Sequence, residues 1–116
     1  MFVYICHPIR GNSADDKIKN LKNILKIVRT INLTMPEVVP LVNYFADCLA
    51  LCDGIEEERR KGLENDRKLL ESGIVDELWV FGDEISEGMR EEIEIAQKMG
   101  IPIKHIEKEV FFDFGV

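Results

Sequence analysis

The chain has 116 residues, of which 46% are hydrophobic and 32% are charged, and we expect residues 1–116 to fold as a single domain. Its formal net charge of -7 disfavours a protein that neutralises a nucleic-acid polymer, but still allows a single phosphate on a small ligand. No apolar run reaches the roughly 18 residues that a membrane span needs, and the N-terminus lacks the basic region of a secretory signal, so we expect a cytoplasmic protein with no membrane partner.

The start of the chain predicts a strand followed by a long helix. The run FVYIC at residues 2–6 is apolar throughout, which is typical of a strand buried on both faces, and it stops at His7-Pro8. Ser13 and Asp16 form a capping-box-like helix start, and apolar residues then recur at helical spacing. We expect this helix to end at about Thr30.

The rest of the chain continues the alternation of strands and helices, and Gly or Pro residues mark most of the boundaries. The predicted elements are a short strand at 37–39, a loop with room for one short helix at 43–54, a helix at about 56–72, a strand at 77–81, a helix at about 86–99 and a short strand at 101–106.

This alternation predicts an α/β protein, because parallel neighbours need a crossover and a helix is the usual one. We expect a three-layer α/β/α architecture with a flavodoxin- or Rossmann-like parallel sheet of four to five strands. Ligands bind such sheets beyond the carboxyl ends of the strands, where the strand order reverses. The expected ligand-binding loops are therefore HPIRGNS, after the first strand, and GDEISEG, after ELWVF.

A carboxylate interrupts the apolar face of the last helix. On a helical wheel of about 100° per residue, Glu92 shares one arc with Met89, Ile93, Ala96 and Met99. A carboxylate in that position must be desolvated or partnered, which tunes its pKa and suits a nucleophile or an acid-base group. The alternative is that Glu92 lies at the edge of the stripe, close to solvent and to the positive helix start.

The first loop is a candidate anion site. Arg10 and Gly11 precede a capped helix, and a guanidinium beside a helix N-terminus suits a phosphate or a carboxylate, although an arginine on an ordinary turn is the alternative. Ser86 is expected to cap the last helix and could also hold an anion. The chain has no Walker loop and no GxGxxG, and Cys48 and Cys52 lack a second ligand pair, so we predict no cofactor and no metal.

Three segments together resemble the nucleoside 2-deoxyribosyltransferase superfamily: YICHPIRG at 4–11, DELWVFG at 76–82 and SEGMREEIEIA at 86–96. Their order and spacing match along nearly the whole chain. The first and last segments are similar to those of the 2′-deoxynucleoside 5′-phosphate N-hydrolases. The DELWVFG and S-GM--EI patterns also resemble those of a group of bacterial and phage proteins without an assigned activity.

The resemblance implies an enzyme that cleaves or transfers the N-glycosidic bond of a small nucleoside or nucleoside 5′-monophosphate. Glu92 would attack the anomeric carbon, Tyr4 would orient Glu92, and Asp66 would be the second carboxylate, which contacts the sugar or helps the base leave. The residues implied in substrate or phosphate binding are Arg10, Gly11, Ser86 and Gly88, and Asn43 and Tyr44 are candidates for the base side.

The chain departs from the superfamily pattern at two places. His7-Pro8 stands where the superfamily usually has Gly-Ser or Ala-Gly-Pro, which removes a phosphate-binding hydroxyl, and Met89 adds bulk towards the pocket. The superfamily's C-terminal segment reaches a neighbouring subunit's site, so the apolar terminal VFFDFGV implies a homodimer or a larger homo-oligomer. The alternative function is a catalytically silent nucleotide-binding or oligomerisation module of the same fold.

Overall fold

The structure is a computed structural model that describes residues 1–107 and 111 of the chain. In these residues the elements follow the order β1 (Phe2–Cys6), α1 (Ala14–Thr34), β2 (Val39–Leu41), α2 (Asn43–Ala50), α3 (Glu56–Glu71), β3 (Glu77–Phe81), α4 (Glu87–Met99) and β4 (Ile103–Ile106). The strands form one parallel sheet in the order β2-β1-β3-β4, which is a flavodoxin-like order. No helix within the described residues is long and apolar enough to cross a membrane.

Helices cover both faces of the sheet, which explains why the central strands are apolar throughout. Successive side chains of a strand point to opposite faces, so Tyr4 and Cys6 of β1 pack on one side and Val3 and Ile5 on the other. The first side is covered by α2, α3 and α4, through Tyr44, Leu70, Met89 and Ala96. The second side is covered by α1, through Ile27 and Ile31. The protein is thus the predicted three-layer α/β/α domain.

The strand order reverses between the two central strands, and this reversal positions the site. From β1 the chain crosses to β2 on one side, whereas from β3 it crosses to β4 on the other. The loops that follow β1 and β3 therefore diverge and leave a crevice at the carboxyl ends of the strands. The two loops expected to bind a ligand flank this crevice.

Helix α1 is longer than the sequence predicts, because it ends at Thr34 rather than at about Thr30. The hydroxyl groups of Thr30 and Thr34 donate to the carbonyl oxygens one turn earlier, at 2.8 and 2.6 Å, so neither threonine breaks the helix. Ile31 is fully buried and adds a further core contact. The C-cap of α1 is Met35, the residue before a proline, where the α conformation is disfavoured.

The stretch between α1 and α3 contains one more correction. The short strand was predicted at 37–39, but β2 covers Val39–Leu41 and includes Pro40. A proline is tolerated there because β2 is an edge strand, with a free side on which no ladder hydrogen bond is needed. The following segment, predicted as a loop with room for one short helix, contains such a helix, α2, whose eight residues include the buried Tyr44.

The terminal segment VFFDFGV, on which the predicted oligomer depends, lies outside the described residues except for Phe111. This ring is buried and packs edge-to-face against Phe81 of β3, with the ring centroids 5.3 Å apart. The homo-oligomer stays a prediction.

The first loop is locked to the start of α1 by its own residues. Ser13 caps the helix as predicted, since its Oγ accepts the Asp16 N–H at 3.1 Å. The Asp16 carboxylate accepts the Asn12 N–H at 2.9 Å. Gly11 has φ +58°, and a Cβ atom there would lie 2.3 Å from the Asp16 Cβ. Position 11 therefore requires glycine for two reasons, its backbone conformation and the close approach of Asp16.

Gly11→Ala should destabilise the fold more than Gly100→Ala, which is the matched control. Both glycines have positive φ, but an added Cβ at Gly100 meets nothing within 4 Å. Gly100→Ala should therefore cost only the left-handed conformation, about 1–2 kcal/mol. Gly11→Ala adds the clash with Asp16 and should cost at least about 1 kcal/mol more. Urea unfolding measures both changes, and equal losses would contradict the close packing of Asp16 on the loop.

Candidate active site

A cleft of about 830 Å³ opens at the carboxyl ends of β1 and β3. The loops after these strands and the first turns of α4 form one part of its wall, and side chains of α2 and α3 form the other. Its position at the reversal of strand order is where this class of sheet binds ligands. Of the residues predicted for the site, six line the cleft, namely Arg10, Gly11, Asp66, Ser86, Gly88 and Glu92, and the seventh, Tyr4, is fully buried in β1.

Helix α4 carries Glu92 into the cleft. Ser86 caps the helix as predicted, because its Oγ accepts the Met89 N–H at 3.3 Å. Met89 and Ala96 lie on the same face of the helix and are buried, which seats α4 on the sheet. Met99 was predicted in the same apolar arc but is 44% exposed, because it is the last residue of the helix.

The Glu92 carboxyl group lies in a largely desolvated position. The residue as a whole is partly exposed, yet its Oε2 atom is buried and has no hydrogen-bond partner. Burial raises the pKa of Glu92 to about 8, the Tyr4 phenol opposes this rise, and the charges of Asp66 and Glu91 add to it. Glu92 is therefore mostly protonated at pH 7 before a ligand binds.

Tyr4 lies at the centre of β1, beside this carboxyl group. Its hydroxyl makes no hydrogen bond of standard geometry, but it is close enough to Glu92 to stabilise the charged carboxylate. Burial, and next the negative charge of Glu92, raise the pKa of Tyr4 far above its ordinary value. The phenol thus keeps its proton and is available as a donor to the charged form of Glu92.

Asp66 lies on α3, on the cleft wall formed by α2 and α3. The Asn43 Nδ2 donates to its Oδ1 at 2.7 Å. Burial raises the pKa of Asp66 to about 6, the Asn43 hydrogen bond lowers it, and the nearby charge of Asp47 raises it. Asp66 and Glu92 interact electrostatically, since the charge of Asp66 contributes to the raised pKa of Glu92.

The cleft therefore presents two carboxyl groups whose environments separate their pKa values, together with a phenol that stabilises one of them. Pairs of this kind suit an acid-base or nucleophile-acid division of roles. Within residues 1–107 and 111, no group of three or more His, Cys, Asp or Glu side chains is arranged to hold a metal ion.

Three of the four residues predicted to bind phosphate already have partners within the protein. Arg10 is half exposed, and its Nε lies 3.8 Å from Asp53 Oδ2. Gly11 lies against Asp16, and the Ser86 hydroxyl oxygen caps α4. Gly88 has open space where a Cβ would be, so its backbone faces the cleft without crowding. Phosphate binding by these residues stays a prediction.

Sequence reasoning missed the residues that support Asp66. Of the two residues expected at the base side, Tyr44 lines the cleft and donates its hydroxyl to the Ile5 carbonyl oxygen, whereas Asn43 holds Asp66. Asp47, one turn after Asn43, lines the cleft and accepts from the Asn65 side chain at 3.2 Å. The four-residue spacing of Asn43 and Asp47 would have placed them on one face, had the bounds of the short helix been predicted.

Glu92→Gln should change how stability depends on pH. The unfolded chain releases this proton near the ordinary pKa of 4.5, whereas the folded chain keeps it up to about 8. The free energy of unfolding of the wild type should therefore fall between these values, by on the order of 4 kcal/mol. Asp66 acts in the same direction up to a pH of about 6.

Glu92→Gln should remove most of this fall, and above a pH of about 6 it should leave a nearly flat curve. Urea unfolding at several pH values measures the free energy of unfolding of both proteins. Glu94→Gln is the matched control, because it removes an exposed carboxylate from the same helix and should keep the wild-type slope. Parallel curves for wild type and Glu92→Gln would contradict the burial of this group.

Comparison with known proteins places this fold and site in a family. None of the curated protein sequences matches the chain. A family described as a domain of unknown function (DUF7768) matches residues 1–106, which include all four strands and all seven predicted site residues. The chain belongs to this DUF7768 family.

Proposed function

We propose that the protein cleaves or transfers the N-glycosidic bond of a small deoxynucleoside, with Glu92 as the nucleophile. The observation that carries the proposal is the Glu92 Oε2 atom, a buried carboxyl oxygen without a hydrogen-bond partner on the wall of a cleft that also contains Asp66. Buried polar atoms are nearly always paired, and unpaired ones often serve a catalytic role.

The reaction needs Glu92 charged and Asp66 protonated. The Glu92 carboxylate forms a bond to the anomeric carbon as the bond from that carbon to the base breaks, and Asp66 donates its proton to the leaving base. Water or a second base then attacks the same carbon, gives its proton to the Asp66 carboxylate and releases the Glu92 carboxylate. Tyr4 positions the nucleophile, because its hydroxyl stabilises the charged form of Glu92. No cofactor or metal takes part.

The resemblance to the nucleoside 2-deoxyribosyltransferase superfamily supports the proposal from a different direction. It implies Glu92, Tyr4 and Asp66 as catalytic residues from sequence motifs alone, and these three interact through their charges in the folded chain. An internal ion pair that locked Glu92 would favour a silent module instead, but none of the ion pairs among the described residues involves Glu92.

The proposal also includes a cytoplasmic setting and a homo-oligomeric state. Cys6, Cys48 and Cys52 are all free thiols, which suits a reducing compartment. The proposed partner is a small nucleoside, and the acidic chain is unsuited to a nucleic-acid polymer.

Glu92→Gln should abolish base release. The purified protein is incubated with deoxynucleosides and their 5′-monophosphates, with and without a second free base, and the released base is followed by chromatography. Loss of the nucleophile should lower the rate roughly 10³-fold or more. Glu94→Gln, on the exposed side of α4, should keep the wild-type rate. A folded wild type that is silent across the panel would contradict the proposal and favour the catalytically silent module.

The rate should depend on pH in a bell shape with limbs near the two pKa values, about 6 and about 8. Between these pH values the pair of Asp66 and Glu92 shares one proton. The reactive form has this proton on Asp66, and it makes up roughly 1% of the singly protonated molecules because the pKa values place the proton mainly on Glu92. Asp66→Asn should lower the rate of base release and remove the alkaline limb, since Glu92 alone then titrates. An alkaline limb that persists in Asp66→Asn would exclude Asp66 as the acid.

A further inference from the structure

The cleft is strongly acidic. Five aspartates and four glutamates line it, against three cationic side chains, those of Arg10, Lys19 and Arg59. Glu92 is mostly protonated at pH 7, but the other carboxylates still outnumber the cations by more than two to one. The chain as a whole carries a formal charge of -7, so the field around the cleft also repels anions. A nucleoside 5′-monophosphate brings a further charge of about -1.5 to -2.

The cation that would bind such a phosphate already faces a carboxylate. Asp53 Oδ2 lies 3.8 Å from the Arg10 Nε and 3.5 Å from the Lys17 Nζ. Lys17 is itself anchored, because its Nζ donates to the Cys48 carbonyl oxygen at 3.2 Å. Asp53 therefore keeps a cationic partner, Lys17, when Arg10 turns towards a ligand. A phosphate bound to Arg10 would lie beside the Asp53 carboxylate, at a separation where like charges repel.

A carboxylate of the protein also occupies the backbone of the loop after β1. Asp16 accepts the Asn12 N–H at 2.9 Å and packs against Gly11, so the chain's own carboxylate fills the place where this loop could hold an anion. Asp16 is part of the helix cap as well, which ties its position to the fold of α1.

We infer that the cleft selects deoxynucleosides without a 5′-phosphate, and that Asp53 is the residue that excludes the phosphate. This inference rests on the proposed function, since it names the substrate class for the same cleft. A 5′-hydroxyl can donate to a carboxylate and accept from a guanidinium, so it suits the paired Asp53 and Arg10, whereas a phosphate dianion can only accept. Asp16 supports the selection by closing the loop N–H to anions.

The test is isothermal titration with a deoxynucleoside and its 5′-monophosphate as paired ligands. The proteins are the wild type and Asp53→Asn, each repeated in a Glu92→Gln background so that turnover does not distort the heats. The wild type should bind the nucleoside at least roughly tenfold more tightly than the monophosphate, and Asp53→Asn should reduce this ratio by roughly fivefold. High salt should also reduce the ratio, because it screens the repulsion.

Glu71→Gln is the matched control, because it removes one exposed carboxylate at the end of α3, outside the cleft, and should leave the ratio unchanged. Monophosphate binding as tight as nucleoside binding in the wild type would overturn the inference, and an unchanged ratio in Asp53→Asn would overturn the role of Asp53. Absence of binding by both ligands would overturn the proposed function as well. Selective nucleoside binding without base release would support the inferred selectivity and contradict only the proposed N-glycosidic chemistry.

Discussion

The parallel pairing of β1 with β3 at the centre of the sheet is the constraint on which the site depends. Tyr4 lies opposite Leu78 and Cys6 opposite Val80, and parallel neighbours of this kind cannot be joined by a tight turn. Each connection must therefore cross over, through helices that bury the strands on both faces. Because the crossovers from β1 and β3 run in opposite directions, the two loops separate and open a cleft. The same pairing sets the Tyr4 phenol beside the helix that follows β3.

The cleft holds a carboxyl group at a cost to the fold. Burial raises the pKa of Glu92 to about 8, so ionising it in the folded chain is unfavourable at neutral pH. The fold offsets part of this cost through the Tyr4 phenol and leaves the Oε2 atom without a partner. An apolar side chain at the same position of α4 could be buried without this cost in free energy. A polar group kept at a disadvantage in a ligand-sized cleft points to chemistry rather than to stability.

Charge gives the cleft a second property, which its shape alone does not convey. The loop after β1 has the ingredients of an anion site, namely an arginine, a glycine and a helix N-terminus. In the folded chain the arginine faces Asp53, and Asp16 packs against the glycine and accepts the Asn12 N–H. The helix N-terminus is capped by the Ser13 hydroxyl. The loop thus resembles a phosphate-binding site in sequence, but the protein's own side chains occupy it. The hydrogen-bonding groups that remain favour neutral hydroxyl groups.

The sequence by itself determined the layered parallel fold, the cap at Ser86 and the place of Glu92 on the apolar face of α4. These features depend on spacing over a turn or a strand, which can be read directly from the residues. The tertiary structure alone decided that Asn43 holds Asp66 across 23 residues of sequence and that Asp53 faces Arg10. Those contacts join segments distant in the chain, and local propensity carries no information about which distant partner a polar side chain will meet.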